Sequence, residues 1–245
     1  MNTLIIGASS RLGQCIAERC AKARHNLFLI SSDPQDLEPL QKDLTLRFNV
    51  KVSLLATDLR ECDTKQLKIA IHKAFPVISN IFYIAGVGYV EKDSGSISNE
   101  MLDELVNVNY ISPIKIINSF LPELEKQDNA HIIGISSIAA SRPRKINSIY
   151  AASKNGLEFY LGTLRHYLSD RKCKVQYYRL GYMASRLSDD KKLSLFPVSQ
   201  PEEIADQIIK GLGKSHFRAY LPGWWSWVMI IYQLLPWPIY KRLSF

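Results

Sequence analysis

Short apolar runs alternate with amphipathic stretches along most of this chain. Thr3–Ile6, Asn26–Ser31, Lys51–Thr57, Asn80–Ala85, His131–Ser136, Lys174–Leu180 and Arg218–Leu221 read as strands. Gln14–Ala23, Gln35–Phe48, Thr64–Phe75, Asn99–Lys126, the segment opened by Tyr150 and Pro201–Leu212 read as helices. Pro201 with Glu202 and Glu203 marks a helix start. The alternation predicts an α/β domain over residues 1–221, a doubly wound parallel sheet with helices on both faces. In such sheets ligands bind at the strand carboxyl ends, where Gly7, Gly86, Ser137 and Gly181 fall. Polar residues dominate Tyr182–Pro197, which reads as a flap over a substrate.

Residues 222–245 break the alternation as an apolar helical tail. From Ala219 to Tyr240 no residue is charged, and Trp224, Trp225, Trp227 and Trp237 fall inside the stretch. Its length approaches the roughly 20 residues of a membrane span. Pro222, Gly223, Pro236 and Pro238 shorten the helix to about Trp225–Leu235. Tryptophans flanked by Arg218, Lys241 and Arg242 suit a helix lying in a bilayer interface. Packing onto its own domain or onto a second subunit is the competing expectation.

At 245 residues and 47% hydrophobic, the chain can bury a sizeable core. The net charge of +8 reads as a scattered basic surface or as attraction to an anionic partner, with one cluster at Arg142, Arg144 and Lys145. No nucleic-acid motif accompanies it. Cys15, Cys20, Cys62 and Cys173 lack metal-type spacing and suit free thiols in a reducing compartment. A strand at Leu4-Ile5-Ile6, with no basic segment before it, argues against a cleaved signal peptide and for a cytoplasmic protein.

The candidate chemistry lies at the strand ends. Gly7-Ala8-Ser9-Ser10-Arg11-Leu12-Gly13 joins a strand to a helix N-terminus, an arrangement that gathers backbone N–H groups around phosphate. Ser31 and Ser32 end the second strand where an acid would hold ribose hydroxyls. With Arg11 nearby they favour NADPH over NADH, while the adjacent Asp33 argues the other way. Asp58-Leu59 can receive an adenine amino group, and Ala85-Gly86 allows close approach of a cofactor. Tyr150 and Lys154 lie four residues apart on one helical face, with Ser137 at the mouth of the preceding strand. A phenol beside an ammonium and a hydroxyl suits proton transfer to a carbonyl oxygen, and such chemistry needs a nicotinamide to carry the hydride. Asn109, at an expected helix kink, is placed to hold a relay water.

These residues resemble the short-chain dehydrogenase/reductase family over nearly the whole chain. Asn109, Ser137, Tyr150 and Lys154 match its catalytic tetrad. Gly7, Ser9, Ser10, Arg11, Leu12, Gly13, Ser31, Ser32, Asp58, Leu59, Ala85, Gly86 and Gly181 fall at its cofactor positions, with Tyr150 and Lys154 shared. Arg11 replaces the middle glycine, Tyr83-Ile84 a pair of asparagines, and Leu180 a proline. The resemblance implies a Rossmann-type fold, NADPH or NADH as cofactor, and a homo-oligomer. The insert Arg142–Asn147 and the tail are similar to the decaprenylphosphoryl-2-keto-pentose reductase subgroup. That similarity implies a lipid-linked or phosphorylated keto-sugar whose phosphate meets Arg142, Arg144 or Lys145. A reductase of an apolar ketone and a non-catalytic dinucleotide-binding scaffold are the alternatives.

Overall fold

The structure, a computed structural model, describes residues 1–33, 35–88, 97–184, 196–214 and 216–242. Its strands are β1 (Asn2–Ile6), β2 (Asn26–Ser31), β3 (Val52–Ala56), β4 (Asn80–Tyr83), β5 (His131–Ser137), β6 (Lys174–Leu180) and β7 (Arg218–Leu221). They form one seven-stranded sheet in the order β3-β2-β1-β4-β5-β6-β7. Every pairing is parallel. The strand order reverses between β1 and β4, which opens a crevice at their carboxyl ends.

Alternation along each strand sends side chains to opposite faces. Ile5, Leu29, Phe82 and Ile133 pack beneath α1 (Arg11–Lys22), α2 (Glu38–Phe48) and α7 (Pro201–Gly211). Leu4, Phe28, Ile81 and Ile132 pack beneath α3 (Thr64–Ala74), α5 (Ser112–Leu124) and α6 (Ser148–Tyr167). The expected doubly wound sheet is therefore present, with an apolar core on each side.

Some boundaries differ from the sequence reading, each for a local reason. Ser10 caps α1 by accepting from the Gly13 N–H at 3.1 Å, so the helix begins at Arg11 rather than at Gln14. Strand β4 ends at Tyr83 because the N–H groups of Ile84 and Ala85 both turn to the Ile6 carbonyl. The long helix expected over Asn99–Lys126 is α4 (Asn99–Val106), a π-helical stretch (Asn107–Ile111) and α5. Such stretches occur often at functional sites, and this one buries Asn109 completely.

The tail forms α8 (Trp225–Leu234) and the short α9 (Trp237–Tyr240). Trp225, Met229, Tyr232 and Tyr240 turn inward against Ile138, Tyr182, Phe196 and Tyr220. Outward, Trp227, Ile231 and Leu234 are exposed by 72%, 66% and 77%. The tail thus packs on its own domain along one face and leaves an apolar face bare. Among the described residues no helix is long and apolar enough to cross a membrane. Residues 185–195, most of the expected flap, lie outside the described residues.

Candidate active site

Three elements bring the four residues of the expected tetrad together. Strand β5 delivers Ser137, α6 carries Tyr150 and Lys154 one turn apart, and the π-helical stretch supplies Asn109. Ser137 lies close enough to the Tyr150 phenol to act on it and lower its pKa. Ser137 Oγ also accepts from the Ala139 N–H at 3.1 Å, which orients the hydroxyl. Lys154 is buried and its Nζ donates to the Ile135 carbonyl at 3.2 Å. A Cβ on Gly86 would stand 2.9 Å from that Nζ and 3.1 Å from Asn109 Oδ1, so Lys154 and Asn109 both border Gly86. The Asn109 amide bonds twice to Val87: Oδ1 accepts from its N–H at 3.0 Å and Nδ2 donates to its carbonyl at 2.9 Å. Asn109 therefore holds the chain beyond β4 in place.

Burial dominates the electrostatics. It raises the Tyr150 phenol above its ordinary pKa, opposed by Ser137 and by the positive charge of Arg144. The lysine expected to acidify the phenol is itself lowered to about 8 by burial, with Glu158 pulling in the opposite direction.

The expected cofactor residues form a second group along the crevice. Gly7 takes a φ of +89°, and a Cβ there would stand 2.5 Å from the Ala85 nitrogen. Gly13 packs as closely on the Gly7 carbonyl, with buried Leu12 anchoring the first turn of α1. Ser10 Oγ donates to the Gly7 carbonyl at 2.7 Å, and Ser9 and Ser31 hydroxyls bond at 2.8 Å. Ser32 is exposed beside them. Asp33 is occupied in a local turn, accepting from the Gln35 N–H at 2.8 Å. Arg11 pairs with Glu202 on α7 at 2.5 Å, and Asp58 pairs with Arg60 at the same distance. Both pairs are exposed. Leu59 accepts from Ser112 through its carbonyl. A dinucleotide fits this set: the first turn of α1 carries no acid, and Gly86 keeps the floor beside Lys154 clear.

The three basic residues of the insert separate. Arg142 turns away from the site: its Nη1 donates to the Tyr232 and Gln233 carbonyls at 2.6 and 3.2 Å, and its Nη2 to the Leu235 carbonyl at 2.9 Å. Its guanidinium lies 3.7 Å from the centre of the Tyr240 ring. A phosphate-binding role for Arg142 is thereby displaced by a structural one. Lys145 is exposed. Arg144 instead lines a cavity of about 160 Å³ with Ile138, Phe196, Val228, Met229 and Leu235, and its Nε has no hydrogen-bond partner.

Other residues at the site were not read from the sequence. Trp225 lies against Gly181, where a Cβ would stand 1.8 Å from its Nε1. Nothing local in the chain places a tail residue there. Glu158 and Arg179 form a buried ion pair at 2.5 Å behind the tetrad. The spacing of Tyr150, Lys154 and Glu158 at successive fourth positions was the available signal for Glu158.

A family model described as short chain dehydrogenase matches residues 1–194. Hydroxysteroid dehydrogenase-like protein 1 of Gallus gallus is 24% identical over 229 residues, covering 91% of this chain and 68% of that protein. Very-long-chain 3-oxoacyl-CoA reductase of Vanderwaltozyma polyspora is 25% identical over 250 residues, covering 94% and 70%. Among solved structures, a short-chain dehydrogenase from Sphingobium yanoikuyae in complex with NADPH superposes with a TM-score of 0.82 at 22% identity, covering 99% of this chain and 96% of that one. L-sorbose reductase from Gluconobacter frateurii, complexed with NADPH and L-sorbose, gives 0.79 at 20% identity, with coverage of 89% and 93%. The matched range spans the glycine turn, the positions of the expected tetrad and the end of β6, and the chain belongs to the short-chain dehydrogenase family, as an NAD(P)-dependent oxidoreductase.

Proposed function

We propose that the protein reduces a keto group to a secondary alcohol with Tyr150 as proton donor. The carrying observation is the convergence of Ser137, which acts on the Tyr150 phenol, with Tyr150 and with Lys154 one helical turn on, whose Nζ borders Gly86. Residues Gly7–Gly13, Ser31, Ser32, Asp58, Leu59, Ala85, Gly86, Lys154 and Gly181 would hold NADPH or NADH. When bound, the reduced nicotinamide supplies the hydride. Ser137 orients the carbonyl oxygen and Tyr150 protonates it as negative charge builds there. Because burial raises its pKa, the phenol is protonated at neutral pH and ready to donate. Lys154 places an ammonium beneath this transfer. Neutral side chains at Ser31 and Ser32 favour NADPH, and the exposed Arg11–Glu202 pair is weak enough for a 2′-phosphate to draw Arg11 away. Tyr150→Phe is expected to lose turnover by at least about 10²-fold while keeping cofactor binding. Wild-type turnover in that variant would remove the assignment.

For the substrate, we favour a lipid-linked or phosphorylated keto-sugar. Arg144 supports it: this cation acts on Tyr150 and borders the apolar cavity, so a phosphate and a prenyl chain would both find matched surfaces. The competing substrate is an apolar ketone, favoured by the mostly apolar lining and by the diversion of Arg142 to the tail. Arg144→Ala separates them. A loss of about tenfold or more in kcat/KM on a phosphorylated ketone, with little change on a neutral one, supports the first; equal losses support the second.

The bare face of the tail supports contact with a membrane surface from the cytoplasmic side, with a second copy in a homo-oligomer as the competing occupant.

A further inference from the structure

We propose that Glu158 is a positioning residue for the proton transfer. It clamps the strand end that carries Ser137 to the helix that carries Tyr150, and it sets a buried carboxylate one helical turn beyond Lys154. This rests on the reading of Tyr150 and Lys154 as the proton-transfer pair.

Glu158 lies one turn beyond Lys154 on α6 and is 5% exposed. Its Oε1 accepts from Ser136 Oγ at 2.5 Å and from Arg179 Nε at 2.8 Å, and its Oε2 from Arg179 Nη2 at 2.5 Å. Ser136 directly precedes Ser137, and Lys154 is bonded to Ile135 on the same strand. Helix α6 is therefore tied to β5 at two consecutive residues, through Lys154 and through Glu158. Arg179 extends the tie outward. Its Nη1 donates to Tyr220 OH on β7 at 2.6 Å and to Ser141 Oγ at 3.1 Å, at the start of the basic insert. One carboxylate thus joins the strand, helix and insert that frame the site.

A buried ion pair is poor evidence for stability, because desolvation offsets much of the attraction. Its placement here points instead to the lysine. Among the described residues Glu158 is the one carboxylate that acts on Lys154, and it opposes the lowering caused by burial. The other groups around them are Tyr150 on α6 with Arg144 beside it, Tyr177 and Arg179 on β6, and Tyr220 on β7. Strand β5 and the π-helical stretch contribute neutral Ser136 and Asn109. Removing the Glu158 charge lowers the lysine pKa, so the ammonium is lost at a lower pH. The alkaline limb of kcat/KM for reduction must then move down.

The test follows kcat/KM against pH in Glu158→Gln, Glu158→Asp and Ser136→Ala, with circular dichroism and cofactor Kd as controls for folding. Glu158→Gln is expected to shift the alkaline limb down by about one pH unit, and Glu158→Asp, which keeps the charge, to restore it. Ser136→Ala leaves every charge in place and is expected to lower kcat about tenfold with KM and the limb unmoved. An unmoved limb in folded Glu158→Gln overturns the proposal. Where that variant does not fold, wild-type kcat in Ser136→Ala overturns it. Failure here is distinct from failure of the functional reading, which Tyr150→Phe alone decides.

Discussion

Gly7 holds a φ of +89° where the chain leaves β1, and it packs its Cα against the Ala85 backbone. An L side chain is strained in that region by about 1–2 kcal/mol, before any clash with a backbone that cannot move aside. Gly7→Ala is expected to weaken cofactor binding by about tenfold or more and to lower the melting temperature, both measurable by NADPH fluorescence titration and calorimetry. A wild-type Kd would show that the turn relaxes freely. The Gly7-to-Gly13 turn and the Tyr150–Lys154 pair were legible because their chemistry depends on spacing within one or two turns of chain. Arg11, Asp58 and Arg142 were legible only as charges. Their partners Glu202, Arg60 and the Tyr232–Leu235 carbonyls follow from folded geometry, and those partners decide what each charge does.

Among the elements, α8 depends most on a residue far away in the chain. Its last carbonyls have no partners within the helix, and Arg142 satisfies those of Tyr232, Gln233 and Leu235 while stacking on Tyr240. Arg142→Ala is expected to cost about 2 kcal/mol and to loosen the tail. A red shift in tryptophan emission and faster proteolysis after residue 222 would report it; an unchanged spectrum and cleavage rate would show that packing alone holds α8. The π-helical stretch makes a similar point. A run of apolar periodicity over Asn99–Lys126 predicts one helix, and the asparagines mark a kink without specifying its form. The extra residue in that turn is stabilised by tertiary contacts, in which Asn109 closes both hydrogen bonds with Val87.

At the scale of the molecule, one edge of the catalytic domain carries a basic, aromatic surface. Trp227, Ile231, Leu234 and Trp237 are exposed, with Lys241 and Arg242 beside them and no acid after residue 206. If this face meets a bilayer, co-sedimentation is expected with vesicles containing phosphatidylglycerol and not with phosphatidylcholine alone, falling as salt is raised. Substituting Trp227 and Leu234 with serine should abolish it. A concentration-dependent dimer that these substitutions dissolve, without vesicle binding, would assign the face to a second copy.

The chain by itself determined the parallel sheet, its helices on both faces, the glycine turn and the spacing of the tetrad. Each of these is written in local periodicity, in short-range spacing or in the backbone freedom of single residues, and burial of apolar runs leaves few other ways to fold them. Only the tertiary structure decided that Arg142 serves the tail, that Trp225 covers Gly181 and that Glu158 stands behind Lys154. Those outcomes join residues from different elements, and the energy of a charge or an indole depends on the neighbours and the burial it meets after folding.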